Sequence, residues 1–155
     1  MSGVLRFVHL LALGVWIGTV VFFSFVVAPA LFAVLGPAHA GDVVGVIFPR
    51  YYALGTGSAV TALGCALALG RTATARGRWR GAAGAVALGL AVTLWAGLVV
   101  APRAQRLRAT LQARGEEPGA DEEFRRLHGL AVALNGTALL AALTALGLSA
   151  AALRQ

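Results

Sequence analysis

The sequence predicts an all-α integral membrane protein: a four-helix up-down bundle with a short interfacial helical extension after the third span. Three observations lead there. Of 155 residues, 59% are hydrophobic and 12% charged, at a mean hydropathy of +0.81; a soluble domain carries about 25% charged residues. Four long runs carry no charge: 35 residues between Arg6 and Asp42, 20 between Arg50 and Arg71, 22 between Arg80 and Arg103, and 27 between Arg126 and Arg154. A helix rising ~1.5 Å per residue crosses the ~30 Å hydrocarbon layer in about 20 residues. Each run therefore suffices for one crossing, and the first is too short for two. Third, all 13 basic residues are arginines that flank these runs, where headgroup anchors sit.

Residues 1–155 thus read as a single membrane domain with spans at about 7–29, 49–70, 81–102 and 124–153. The net charge of +7 would suggest nucleic acid in a soluble chain. With the arginines at membrane edges, the expected partner is the lipid bilayer, and nucleic acid is not expected. The single cysteine, Cys65, lies inside the second run and can form no internal disulfide. The first run is far longer than the 7–15 residues or so of a signal-peptide core, so it is expected to remain as a span.

Span one runs to about Pro29, which is tolerated near a helix end or as a kink. A short apolar tail follows, and then the turn from Gly36 to Asp42, rich in residues that punctuate loops. Span two opens at Phe48-Pro49, proline being acceptable in a first helical turn. The connector from Arg71 to Arg80 holds four arginines, no acid, and Trp79, which suits the interface. Span three ends near Pro102, and Ala104, Leu107 and Leu111 then mark one side of the extension. After a break at 115–120, Asp121, Glu122 and Glu123 supply the negative charge that favours a helix N-terminus.

Small residues recur at every fourth position: Gly14 and Gly18 in span one; Ala53, Gly57, Thr61 and Cys65 in span two; Gly81 through Ala101 in span three; Ala133 through Ser149 in span four. Lipid-embedded helices associate by close packing, so such rows mark contacts. Two uses are open for Gly14 and Gly18, packing within the bundle or the face of a homo-oligomer. For orientation, Arg6, Arg71, Arg76, Arg78, Arg80 and Arg154 lie on one side and seven arginines on the other. The short, wholly cationic connector breaks the near-tie and places both termini in the cytoplasm. In a bacterial cell the location is the plasma (inner) membrane.

No Asp, Glu, Lys or Arg lies in the central part of a span, unlike the usual ion-coupled carrier. The polar candidates are few. His9 and Trp16 are seven apart, as are His128 and Asn135, so each pair shares a helix face. His9 reads either as a functional group or as a headgroup-level residue beside Arg6, and Asn135 either as helix-packing glue or as a cavity lining. Pro29, Phe48-Pro49-Arg50-Tyr51, Pro102-Arg103 and Arg126-Leu127-His128 all reach the side opposite the termini. They suggest a polar mouth built from Arg50, Tyr51, Arg103, Arg126, His128 and Asn135, in which arginine forks suit an anionic partner; the alternative is that the arginines anchor headgroups or pair with Glu122 and Glu123. If the mouth exists, Arg103 and His128 point into one cavity. His9 and His128 sit at opposite ends of an up-down bundle, roughly 30 Å apart, and are not expected to share a metal.

The segments His9 through Gly18, Phe22 through Pro29, Phe48-Pro49-Arg50-Tyr51-Tyr52, Ala101-Pro102-Arg103 and Phe124 through Leu130, with Asn135 after them, resemble the transmembrane protein 205-like family (domain of unknown function 4149) over nearly the whole chain. The resemblance implies a four-span membrane protein and little about activity. Relatives can carry an acid where this chain has Ala101, and His39 stands one residue closer to Phe48-Pro49 than its counterpart there. His9, Trp16 and Gly18 are also similar to the first helix of copper resistance protein D-type and haem-linked four-helix families. The leading expectation is a non-enzymatic protein that binds or passes a small ligand through the polar mouth. No cofactor is favoured; the alternatives are a haem- or copper-binding redox or resistance protein, and a structural subunit of a larger membrane complex.

Overall fold

A computed structural model describes residues 2–72 and 74–154, and over them the chain is four long antiparallel helices: α1 (Gly3–Gly36), α2 (His39–Arg71), α3 (Arg76–Ala113) and α4 (Glu122–Leu153). All four are long and apolar enough to cross a membrane. They form an up-down ring, each helix packed on the next in sequence, with α4 closing on α1. No strand occurs among the described residues. α3 continues unbroken through the expected extension, where Leu111 is buried.

The helices overrun the expected spans on the side opposite the termini, because none of the three span-edge prolines stops a helix. Proline lacks an N–H and crowds the carbonyl four residues back. Around Pro29 and Pro102 the backbone answers with a π-turn, at Phe23–Val27 and Ala96–Val100, each closed by the N–H of the residue just before the proline. The same tetrapeptide, Val-Val-Ala-Pro, occupies 26–29 and 99–102. Pro49 is handled differently: the Gly45 carbonyl it leaves without a helical donor accepts from Gln105 Nε2 on α3, at 3.4 Å. The expected turn from Gly36 to Asp42 accordingly narrows to residues 36–38. Gly36 there adopts φ +70°, a left-handed conformation that glycine reaches without steric cost. At the head of α4, Asp121 caps by accepting from the Phe124 N–H at 2.8 Å, with Glu122 and Glu123 in the first turn.

The core is asymmetric in size. α1 supplies Leu13, Trp16 and Val20, while α2 and α4 meet them with Ala59, Ala62, Ala138, Ala142 and Ala145. Trp16 lies over Gly89, where an added Cβ would come within 2.6 Å of the indole, and Tyr52 lies over Gly97 in the same way at 2.8 Å. The fourth-position rows are inward on α3 through Gly89, Thr93 and Ala101, and on α4 from Ala141 through Ser149. On α2 the expected row is corrected. Of that row only Cys65 is buried; Ala53, Gly57 and Thr61 face outward, and the buried face is Gly55, Ser58, Ala59, Ala62 and Ala66. Trp79 also departs from its expected interfacial place: it is fully buried with Leu69, Ala75 and Ala152, where it joins the ends of α2, α3 and α4.

Candidate functional site

Two polar clusters are built inside the bundle. The first lies towards the termini. His9 is fully buried, with Nδ1 2.9 Å from the Ala62 carbonyl on α2 and Nε2 2.9 Å from Ser149 Oγ on α4. The Trp79 ring, from α3, meets the imidazole edge-on at 5.4 Å. A carbonyl only accepts, so Nδ1 carries the proton, and in the neutral ring Nε2 accepts from the Ser149 hydroxyl. That hydroxyl has a single proton, which it shares between His9 Nε2 and the Ala145 carbonyl, 2.7 Å away on its own helix. One histidine thus engages all four helices, and neither nitrogen is left for a metal.

The second cluster lies towards the other side, about 21 Å away along α4, given fourteen residues between Ser149 and Asn135 at ~1.5 Å each. The Tyr51 hydroxyl donates to Asn135 Oδ1, and Asn135 Nδ2 donates to Ser24 Oγ at 2.8 Å. Three helices are tied by one amide. Phe23, Phe48, Tyr51 and Tyr52 surround it with ring centroids 4.9 to 6.2 Å apart. Beneath the amide, Trp16, Tyr51, Gly55, Thr93 and Asn135 help to line a cavity of about 10 Å³, close to the least that admits one water.

The four charged candidates of the expected mouth stand outside this cluster: Arg50, Arg103, Arg126 and His128 are all exposed, and none lines the cavity beneath Asn135. Arg50 folds back on the Val46 carbonyl at 3.1 Å, and Arg126 pairs with Glu122 at 2.7 Å, one turn away on its own helix. Only Tyr51 and Asn135 of the six come together. His39 is exposed at the start of α2. His128 precedes Ser149, the partner of His9, by 21 residues of α4, or roughly 30 Å, so the two histidines stand at opposite ends as expected. No group of three or more His, Cys, Asp or Glu able to hold a metal occurs among the described residues.

A polar contact that the sequence reading did not anticipate lies at the far end of α2 and α3. Arg108 pairs with Asp42 at 3.1 Å, its guanidinium lying over Gly41 where any Cβ would collide with it. Beside it a surface groove of about 260 Å³ opens between Gly45, Gln105 and Gln112. The spacing of four between Gly41 and Gly45 was the available signal, hidden because the region read as a loop.

On the outer surface, Gly14 and Gly18 are exposed, and a Cβ added to either would meet nothing within 4 Å. Leu11, Val15, Phe22 and Phe25 stand exposed around them. Packing within the chain therefore does not account for this glycine pair.

No solved structure matches the chain. A protein of Aquifex aeolicus (strain VF5), described only as an uncharacterized protein, is 34% identical over 128 residues, which is 83% of this chain and 83% of that one. Residues 11–113, from the Trp16 helix through the second π-turn to the end of α3, match the family described as a domain of unknown function, DUF4149, and the chain belongs to that family.

Proposed function

We propose that this chain is a non-enzymatic membrane protein of the transmembrane protein 205-like type that acts by association within the bilayer, as a self-associating subunit of a membrane assembly. The observation that carries the reading is the outward glycine pair. Gly55, Gly89 and Gly97 are used inside the bundle, whereas Gly14 and Gly18 face lipid with open space before them. Small-xxx-small grooves on a lipid-facing helix allow close helix approach, and dispersion contacts then favour pairing. The interior supports the same reading from the other direction. His9 is satisfied by the Ala62 carbonyl and Ser149, Asn135 by Tyr51 and Ser24, and the cavity beneath Asn135 is water-sized, which suits a closed bundle better than a conduit. The test is the oligomeric state of the detergent-purified protein by light scattering. Gly14→Ile and Gly18→Ile, at exposed positions where an added Cβ meets nothing within 4 Å, are expected to convert dimer to monomer with unchanged thermal stability. A wild-type monomer, or a dimer indifferent to both changes, sinks the reading.

A second reading, binding of a small uncharged ligand, is favoured by one observation: Tyr51, Asn135 and Trp16 line the same cavity, which has to widen beyond its water-sized volume to admit one. Stabilisation by small amides or alcohols, abolished in Asn135→Leu, would select it over association.

A further inference from the structure

We propose that the face carrying the chain termini is a binding surface for anionic phospholipid, and that it selects such lipid over zwitterionic lipid while the opposite face does not. The two faces are almost equal in arginine. Arg6, Arg71, Arg76, Arg78, Arg80 and Arg154 lie on the terminal face, at the start of α1, the end of α2, the first turns of α3 and just past α4; the other seven lie opposite. What separates the faces is the acids. All six, Asp42, Glu116, Glu117, Asp121, Glu122 and Glu123, are on the opposite face, where two of them pair with Arg108 and Arg126. The terminal face has none.

Its arginines therefore have no acidic side chain beside them. Arg71, Arg76, Arg80 and Arg154 are exposed and have no hydrogen-bond or ion-pair partner among the described residues. Arg6 keeps a buried Nε with no acceptor. The platform beneath them is rigid: Trp79 is fully buried among Leu69, Ala75 and Ala152 and abuts His9, and Arg78 is fixed by donating to the Ala151 carbonyl at 2.7 Å. Four helix ends thus hold a ring of guanidinium groups at headgroup level. A guanidinium donates two parallel hydrogen bonds to a phosphodiester. Both lipid classes offer that phosphate, but only an anionic lipid brings it without a neighbouring cation, and clustered juxtamembrane arginines attract such lipid from the leaflet.

The measurement is native mass spectrometry of the full chain released from nanodiscs of equal phosphatidylglycerol and phosphatidylcholine, counting the lipids retained. The expected result is severalfold enrichment of phosphatidylglycerol. Combining Arg71→Gln, Arg76→Gln and Arg80→Gln reduces that enrichment by at least half. The matched triple Arg103→Gln, Arg106→Gln and Arg114→Gln leaves it in place, although it removes the same charge. Inorganic phosphate added as a competitor is expected to leave the lipid bound, since the surface acts as a headgroup array. All six positions are exposed, and thermal unfolding of each triple checks that the bundle persists. Absence of enrichment, equal loss in both triples, or displacement of lipid by phosphate alone overturns the proposal.

Discussion

His9 holds the ends of four helices through one imidazole, and in a membrane that arrangement matters for cohesion more than each bond's strength suggests. Interhelical hydrogen bonds in bilayers are worth about 0.6 kcal/mol on average, because the unfolded reference state also finds partners. Ser149→Ala is therefore expected to cost about 0.5–1 kcal/mol. His9→Ala removes the ring as well, leaving a cavity against Trp79 and only the Ala145 carbonyl as partner for Ser149, and is expected to cost about 2–4 kcal/mol. Thermal unfolding in detergent checks the order; a His9→Ala protein as stable as wild type would show that the contact is incidental. The sequence singled out His9 and Asn135 because polar side chains in apolar runs are conspicuous. It could not reveal the partners. Ala62 contributes a carbonyl, which no residue type encodes, and Ser149 stands in a row of small residues where it reads as a packing position. Trp79 was misplaced for a related reason: flanking arginines mark an interface, yet the indole points inward from it.

At the scale of the helix, size complementarity decides which faces meet. Trp16 occupies the slot left by Gly89, so the bundle radius there is set by one large and one absent side chain. Gly89→Ala is expected to cost about 1–3 kcal/mol through overpacking, whereas Trp16→Phe in the same background restores much of the loss. A double-mutant cycle on unfolding free energies measures this coupling, and additive costs would contradict the contact. The helices themselves were legible as apolar runs bounded by arginine. Their ends were not, because a proline in an apolar run is compatible with a helix end, a first turn or a kink, and the sequence does not choose among them. The π-turns before Pro29 and Pro102, and the Gln105 side chain at the Gly45 carbonyl, are local repairs that let the helices continue. The α2 row was assigned to the wrong face at all but Cys65, since Ala, Gly, Thr and Ser recur on both sides of that helix and spacing alone does not choose between them.

For the whole molecule, the number of spans and their up-down order follow from hydropathy alone, while the site does not. Arginines near span ends satisfy the same pattern whether they converge on a cavity or splay outward, and only side-chain directions separate the two. Topology is the remaining question of orientation. The cationic connector predicts that residues 71–80 and both termini are cytoplasmic. Reporter fusions at Gly77 and Gly119 check this, and periplasmic activity at Gly77 but not at Gly119 would invert the arrangement. The central claim is that the bundle is closed within and acts through the outer face of α1. Its most direct measurement is cysteine cross-linking in native membranes, with Cys65 replaced by alanine. Cysteine at Gly14 or Gly18 is predicted to form a disulfide-linked dimer under mild oxidation, while cysteine at Gly57, equally exposed and open but on α2, is predicted to form none. Dimers from Gly57 at the same yield, or none from either α1 position, would contradict the account.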